Sequence, residues 1–270
     1  MSDFSTLELI RDPRGFATLW LSREAKNNAF NAQMIRELIV AIGQLAEDSS
    51  LRFVLLRGRG RHFSAGADLA WMQQSAQLDF NTNLDDAHEL GDLMYSLNRL
   101  KMPTLAVVQG AAFGGALGLI SCCDMAIGTE DAQLCLSEVR IGLAPAVISP
   151  FVVQAIGERA ARRYALTAER FNGLRARELG LLAEVYPAAE LEQQVQAWVD
   201  NLLLNSPQAL RASKELLREV GHGELTPAVR RYCENSIARI RVSPEGQEGL
   251  RAFLEKRRPA WQPLDKDPRP

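Results

Sequence analysis

The chain has 270 residues, of which 47% are hydrophobic and 24% charged, proportions that exclude wholesale disorder and collagen-like fibre. Its 31 basic and 33 acidic residues leave a formal net charge of -2, so no general pull toward nucleic acid or anionic membrane follows. Cys122, Cys123, Cys135 and Cys233 show no C-x-x-C spacing and residues 1–6 carry no signal-peptide features; a reducing cytoplasm is expected.

In chain order, runs 7–10 and 16–21 are strand-like, separated by the turn residues Asp12, Pro13 and Gly15. Apolar residues at Met34, Ile35, Leu38, Ile39, Ile42 and Leu45 have a helical period and predict a helix over 32–46. A buried strand follows at 53–57, a helix at 85–100, and a second buried strand at 104–108. The apolar stretch 105–123 contains Gly110, Gly114, Gly115 and Gly118, which suits strand, glycine turn and buried helix better than a membrane span. With a further strand at 125–127, this alternation predicts a layered α/β core. Beyond residue 146 the pattern turns helical: 147–156, 158–166, 175–179, 191–204, 207–220, 227–241 and a last helix from Pro244 to about Lys256. Ser206-Pro207 and Ser243-Pro244 are N-cap signals with proline at the first helical position. The expected division is a core over 1–200 and a helical oligomerisation region over 201–270. The end of the chain, from Arg257, is expected to trail over the surface.

Several chemistries lose their best evidence. His62, His88 and His222 lack metal-ligand spacing, so no metal is expected. There is no nucleophile elbow and no phosphate-binding loop, and Gly58 and Gly60 are followed by Phe63 where a dinucleotide fingerprint requires a third glycine. What remains is a pair of small-residue segments, each after a buried strand: His62-Phe63-Ser64-Ala65-Gly66-Ala67-Asp68-Leu69 and Gly110-Ala111-Ala112-Phe113-Gly114-Gly115-Ala116-Leu117-Gly118. Adjacent strands would bring these turns side by side, and two N–H groups aimed at one point make an oxyanion hole. The same glycines equally permit tight packing of helix on sheet.

Taken together with Lys26-Asn27-Asn28-Ala29-Phe30, Ser137-Glu138-Val139-Arg140-Ile141-Gly142-Leu143 and Phe253-Leu254-Glu255-Lys256, these segments resemble the crotonase (enoyl-CoA hydratase/isomerase) family over essentially the whole chain. The resemblance implies a crotonase-like spiral of ββα turns with a helical C-terminal region that packs subunits into trimers or hexamers. It implies an acyl-CoA thioester substrate, with coenzyme A entering as part of that substrate and no other cofactor. It places the oxyanion hole at the N–H groups of Ala67 and Gly115, and the CoA path along Lys26, Ala29, Ala65, Asp68 and Leu69, with Phe253 and Lys256 near it. Lys26 and Lys256, each taken alone, are equally solvated surface lysines. Trp71, Met72, Gly114, Gly118 and Leu143 are expected to line the substrate pocket.

The acid–base residues depart from the family pattern. Hydratases that this chain resembles place one glutamate three residues after the oxyanion glycine and another at the position of Glu138. Here the first position is Gly118, leaving Glu138 as the candidate acid–base group in apolar surroundings expected from Cys135, Leu136, Val139 and Ile141. Gly118 is expected to leave room for a branched substituent. Residues 136–150 and 157–164 are most similar to bacterial hydratases of 3-methylglutaconyl-CoA, in leucine breakdown, or of isohexenylglutaconyl-CoA, in acyclic terpene breakdown. Arg140 and His62 are conceivable partners for the distal carboxylate of such a substrate. A lone glutamate also suits an isomerase, and decarboxylation or dehalogenation use the same enolate hole. A non-catalytic CoA-binding homologue is a further alternative. RNA binding, known in a mammalian relative with a lysine-bearing helix, is not expected here, because residues 31–50 contain Arg36 but no lysine.

Overall fold

The computed structural model describes residues 4–221 and 223–262. Its centre is a six-stranded sheet in the order β1-β2-β3-β4-β6-β9. β1 (Leu7–Asp12) and β2 (Phe16–Leu21) form an antiparallel hairpin. From β2 onward, β3 (Phe53–Gly58), β4 (Thr104–Val108), β6 (Met125–Thr129) and β9 (Glu184–Tyr186) run parallel. β3 and β4 read as continuous apolar runs because both faces of the sheet are covered. A second sheet, β5 (Ala111–Phe113), β7 (Gln133–Cys135) and β8 (Phe171–Asn172), stands beside the first.

One face of the main sheet packs on α1 (Ala32–Glu47), α3 (Phe80–Asn98) and α4 (Gly115–Cys122), with α5 (Ser149–Ile156) and α6 (Glu158–Thr167) continuing the same core. α1 forms as its period predicts: Met34, Ile35, Leu38, Ala41, Ile42 and Leu45 are its buried stripe, and the Asn31 side chain accepts the Met34 N–H as N-cap. Each large member of that stripe contributes about 1.5–3 kcal/mol by leaving water. α7 (Gly173–Glu178) stands where a helix over 175–179 is expected, whereas α2 (Leu69–Ser75) and the strands β5, β7, β8 and β9 are too short to announce themselves by periodicity. α3 begins at Phe80 rather than 85, because Asp79 caps it by accepting the Thr82 N–H at 2.8 Å. The apolar stretch 105–123 is β4, β5 and the eight-residue α4, and no helix among the described residues is long and apolar enough to cross a membrane.

The other face of the sheet changes the expected domain picture. α8 (Leu191–Leu203) lays Leu191, Val195, Val199, Leu202 and Leu203 against Phe16, Phe53, Leu55, Leu105, Val107 and Ile127. Its apolar face is therefore the chain's own second core, and the core runs past residue 200 to the end of this helix. The helical arm proper is α9 (Pro207–Val220), α10 (Pro227–Val242) and α11 (Pro244–Leu254), capped by Ser206, Thr226 and Ser243. α9 and α10 bury none of their residues, and Leu217, Ile237, Val242, Leu250, Phe253 and Leu254 are exposed.

As far as residue 262, where the described residues end, the segment after α11 does not trail. Arg257 pairs with Glu248 at 2.6 Å, and Trp261 donates its indole N–H to the Leu204 carbonyl at 3.1 Å. The buried Arg52 guanidinium donates to the carbonyls of Leu203, Asn205 and Trp261, tying this segment to the start of β3. Aromatic and guanidinium anchors of this kind carry no periodic signature. His222 and the prolines Pro263, Pro268 and Pro270 lie outside the described residues.

Candidate functional site

The two small-residue turns do lie side by side, and backbone hydrogen bonds show how. Residues 63–68 form a strip between two neighbours. On one flank Phe63 N–H donates to Gln109 O, Ser64 N–H to Ala111 O, and Phe113 N–H to Ser64 O, at 2.8 to 3.1 Å. On the other, Ala65 N–H donates to Asn27 O, Phe30 N–H to Gly66 O, and Asp68 N–H to Phe30 O, at 2.7 to 2.9 Å. Asn28, fully buried, pins the flank by donating its amide to the carbonyls of Arg59 and His62. Gly66 has φ +94°, and a Cβ there would stand 3.1 Å from the Phe113 carbonyl oxygen, so the strip needs glycine at that point.

Among the described residues, the Ala67 and Gly115 N–H groups of this cradle have no acceptor within the protein. Gly115 is the first residue of α4, where helical geometry leaves N–H groups unpaired and the peptide dipoles concentrate positive charge. Gly114 makes this start possible with φ +54° and ψ −122°, a conformation that a side chain would strain, while its N–H donates to Cys135 O at 2.9 Å. Phe30 is the shared neighbour: it pairs with Ala67, and its ring lies 3.4 Å from where a Cβ on Gly115 would be. Two uncommitted N–H groups in such a cradle can hold a carbonyl oxygen as it gains charge.

Glu138 completes the arrangement. It opens a short 3₁₀ turn, Glu138–Ile141, just after β7, and Leu143 N–H donates back to its carbonyl at 3.1 Å. Its Oε1 lies 3.2 Å from the Cβ position of Gly114, so the missing side chain there is what admits the carboxyl. Its Oε2 is buried without a hydrogen-bond partner. Burial pushes the Glu138 carboxyl above the ordinary glutamate range, opposed only in part by its own backbone N–H. Cys135 and Leu136 are buried as expected, but Val139 and Ile141 are exposed and do not supply the apolar surroundings. Arg140 donates to the Ala168 carbonyl at 2.8 Å and so anchors the turn. His62 accepts the Ala111 N–H on Nδ1 at 2.9 Å, and burial followed by the nearby Arg61 charge lowers its pKa. Both side chains help to hold loops through these bonds.

Other expected positions divide. Ala29 is buried, Ala65 half-buried and Lys26 exposed at the edge of the cradle. Asp68 is not open to a ligand: it caps α2 by accepting the Ala70 N–H and pairs with Arg23, both at 2.9 Å. Burial alone would push the Asp68 carboxyl up, but Arg23 and the backbone donors outweigh it and hold its pKa below the usual value. Leu69 is 77% exposed and Leu143 is exposed, while Trp71 and Met72 are half-buried on α2, with Trp71 packed against the main core. Phe253 and Lys256 belong to the helical arm, where α11 packs on α9 and α10, and Phe253 is 81% exposed.

Gly118 differs most from its expected role. A Cβ on it would overlap the side chain of Ile148 and stand 3.0 Å from the terminal methyl of Met94. There is no spare room beside Gly118; Ile148, itself buried, fills it. Gly118 is a packing position, and a glutamate there would have to displace Ile148 rather than enter a pocket. Ile148 comes from the N-terminus of α5, thirty positions away, and no spacing rule links the two. Among the described residues, no group of three or more His, Cys, Asp or Glu is placed to hold a metal ion.

The family model for enoyl-CoA hydratase/isomerase matches residues 11–264. An enoyl-CoA hydratase from Shewanella pealeana superposes with a TM-score of 0.91 at 47% identity, over 96% of each chain. Pseudomonas aeruginosa AtuE superposes with a TM-score of 0.91 at 35% identity, over 96% of this chain and 100% of its own. The 2,3-dehydroadipyl-CoA hydratase of Escherichia coli is 28% identical over 246 residues, which cover 90% of this chain and 94% of the relative.

Proposed function

The chain belongs to the enoyl-CoA hydratase/isomerase family, and from that premise we propose that it hydrates a branched, 3-substituted glutaconyl-CoA, either 3-methylglutaconyl-CoA or isohexenylglutaconyl-CoA. The observation that carries the proposal is the Glu138 carboxyl, whose Oε1 lies against Gly114, next in sequence to the uncommitted Gly115 amide, and whose buried Oε2 has no hydrogen-bond partner. In this reaction the Ala67 and Gly115 N–H groups donate to the thioester oxygen. Water oxygen bonds to the β-carbon, the double-bond electrons move to the thioester as an enolate, and Glu138 takes the water proton. Glu138 then returns that proton to the α-carbon, closing the enolate to the 3-hydroxyacyl thioester. Stabilising the enolate is the largest contribution; one oxyanion donor is typically worth about 10²–10³ in rate.

The substrate class rests on the similarity of residues 136–150 and 157–164 to such hydratases, with support from the relative named for 2,3-dehydroadipyl-CoA, an enoyl thioester that bears a free carboxylate. The test is mass-resolved turnover of crotonyl-, 3-methylglutaconyl- and isohexenylglutaconyl-CoA in both directions. A kcat/KM for one of the branched diacid thioesters at least about tenfold above crotonyl-CoA is expected, a difference of ~1.4 kcal/mol in transition-state binding. Preference for crotonyl-CoA would overturn the substrate class.

Double-bond migration is the second reading, favoured by the packing of Ile148 on Gly118, which leaves Glu138 without a second carboxylate at that position. Hydration in ¹⁸O-labelled water places the label in the product; migration of a 3-enoyl-CoA to the 2-enoyl isomer leaves the product unlabelled.

A further inference from the structure

The two amides of the cradle are held in place by unequal means. Gly115 opens α4, and Ala116, Leu117, Gly118, Leu119 and Ile120 behind it are buried, so the core itself fixes that N–H. Ala67 is exposed, and α2, which starts two residues later, buries none of its residues. Core packing therefore does little to aim the Ala67 N–H. Its aim comes from Phe30, which takes hold of the residue on either side. Phe30 N–H donates to Gly66 O, and Asp68 N–H to Phe30 O, both at 2.7 Å. In a parallel bridge of this kind the enclosed residue turns its own N–H away from the strand that clasps it. That direction holds only while residues 29–30 and 66–68 keep their register.

Arg23 staples those two strips together. One guanidinium nitrogen donates to the Ala29 carbonyl and another to Asp68 Oδ2, the latter at 2.9 Å. Ala29 precedes Phe30 and Asp68 follows Ala67, so the staple sits at the bridge that aims the amide. Asp68 Oδ1 accepts the Ala70 N–H at 2.9 Å, and the same carboxylate thereby sets where α2 begins. The Arg23 and Asp68 side chains are 16% and 10% exposed, which separates this pair from the solvent-screened ion pairs of the surface. Arg23 is itself fixed at its backbone. Its N–H donates to Asn28 Oδ1 at 2.8 Å, and its carbonyl accepts the N–H groups of Lys26 and Asn28 at 2.8 and 3.0 Å. A planar guanidinium anchored in this way offers its donors in fixed directions, one to each strip.

We propose that Arg23 is a positioning residue for the reaction: through Asp68 it aims the Ala67 N–H at the thioester oxygen. This rests on the reading of Ala67 and Gly115 as the oxyanion hole, and the experiment separates the two. The full-length protein is loaded with [1-¹³C]butyryl-CoA, a saturated thioester that cannot be hydrated, and the carbonyl stretch is followed by isotope-edited infrared difference spectroscopy. Hydrogen bonds from the hole lower that frequency. Arg23→Met should lose about half of the wild-type shift, one donor of two, with butyryl-CoA affinity changed by less than about threefold. Its kcat should fall at least about tenfold, toward the 10²–10³ of an absent donor, while KM moves less than about threefold. Arg23→Met also leaves Asp68 as a shielded, unpaired carboxylate and should melt lower. The double variant Arg23→Met/Asp68→Asn removes both charges. It should melt higher than Arg23→Met yet regain neither the carbonyl shift nor kcat; whatever its melting temperature, the shift read on folded protein decides. A full wild-type shift in either variant, or kcat restored together with stability, would make Arg23 merely structural and overturn the proposal. A wild-type protein that leaves the carbonyl frequency unshifted would overturn the oxyanion reading itself, and the proposal with it.

Discussion

The cradle around residues 63–67 and 110–115 and the helical arm α9–α11 are opposite solutions to the same chain's packing. In the cradle the backbone groups of three strips are paired across their flanks, and among the described residues the amides of Ala67 and Gly115 stay without acceptors. In the arm the helices are well capped, yet no residue of α9 or α10 is fully buried and Phe253 and Leu254 face outward. The cradle is complete within one chain and incomplete only toward a substrate. The arm is incomplete toward another surface, and we expect a second and third copy of the chain to supply it, in a trimer or hexamer.

The sharpest way to break this contrast is at Glu138. Glu138→Gln keeps the shape of the side chain and removes its proton chemistry, so turnover should fall by at least about 10²-fold with little change in binding of an unreactive CoA ester. Turnover within a few-fold of wild type would remove Glu138 from the reaction and reduce the cradle to a packing device.

Next in size is the packed side of α4. Gly118→Ala should destabilise the protein by about 1–3 kcal/mol in urea unfolding, because the new methyl overlaps Ile148. Pairing it with Ile148→Ala should recover part of that loss, and strict additivity of the two changes would show that they do not share one space.

The arm is tested by charge. Phe253→Glu with Leu254→Glu should shift the assembly toward smaller species in light scattering at micromolar concentration, with the core's melting little changed. A wild-type chain that is itself monomeric at that concentration would end the comparison, leaving the exposed apolar face without a role.

The smallest effect concerns pH. Burial raises the folded-state pKa of Glu138 above its unfolded value, so the stability it contributes is fully present below the unfolded pKa and is lost as pH rises through the folded one. Glu138→Gln should therefore melt higher than wild type at neutral pH, and the difference should vanish once the solution is acid enough to protonate the unfolded glutamate. The same raised pKa should place the acidic limb of the kcat/KM profile above the usual carboxylate range. A limb at the ordinary glutamate value would show that water reaches Glu138 freely.

Long, periodic or capped elements were legible in the sequence: the stripe of α1, the buried runs of β3 and β4, and the helices after Ser206 and Ser243 all stand where local chemistry predicts them. So was the pairing of the two glycine turns, because parallel neighbouring strands leave them little alternative. These features depend on backbone conformation and on the burial of one face, which a few neighbouring residues decide. What only the tertiary structure decided are contacts between distant positions. Ile148 closes the space beside Gly118, Arg23 takes Asp68 away from any ligand, Arg52 ties down Trp261, and α8 covers the second face of the sheet as core. In each case a side chain's role is set by what fills the volume next to it, and that neighbour is brought in by the fold from many residues away, where no local pattern can register it.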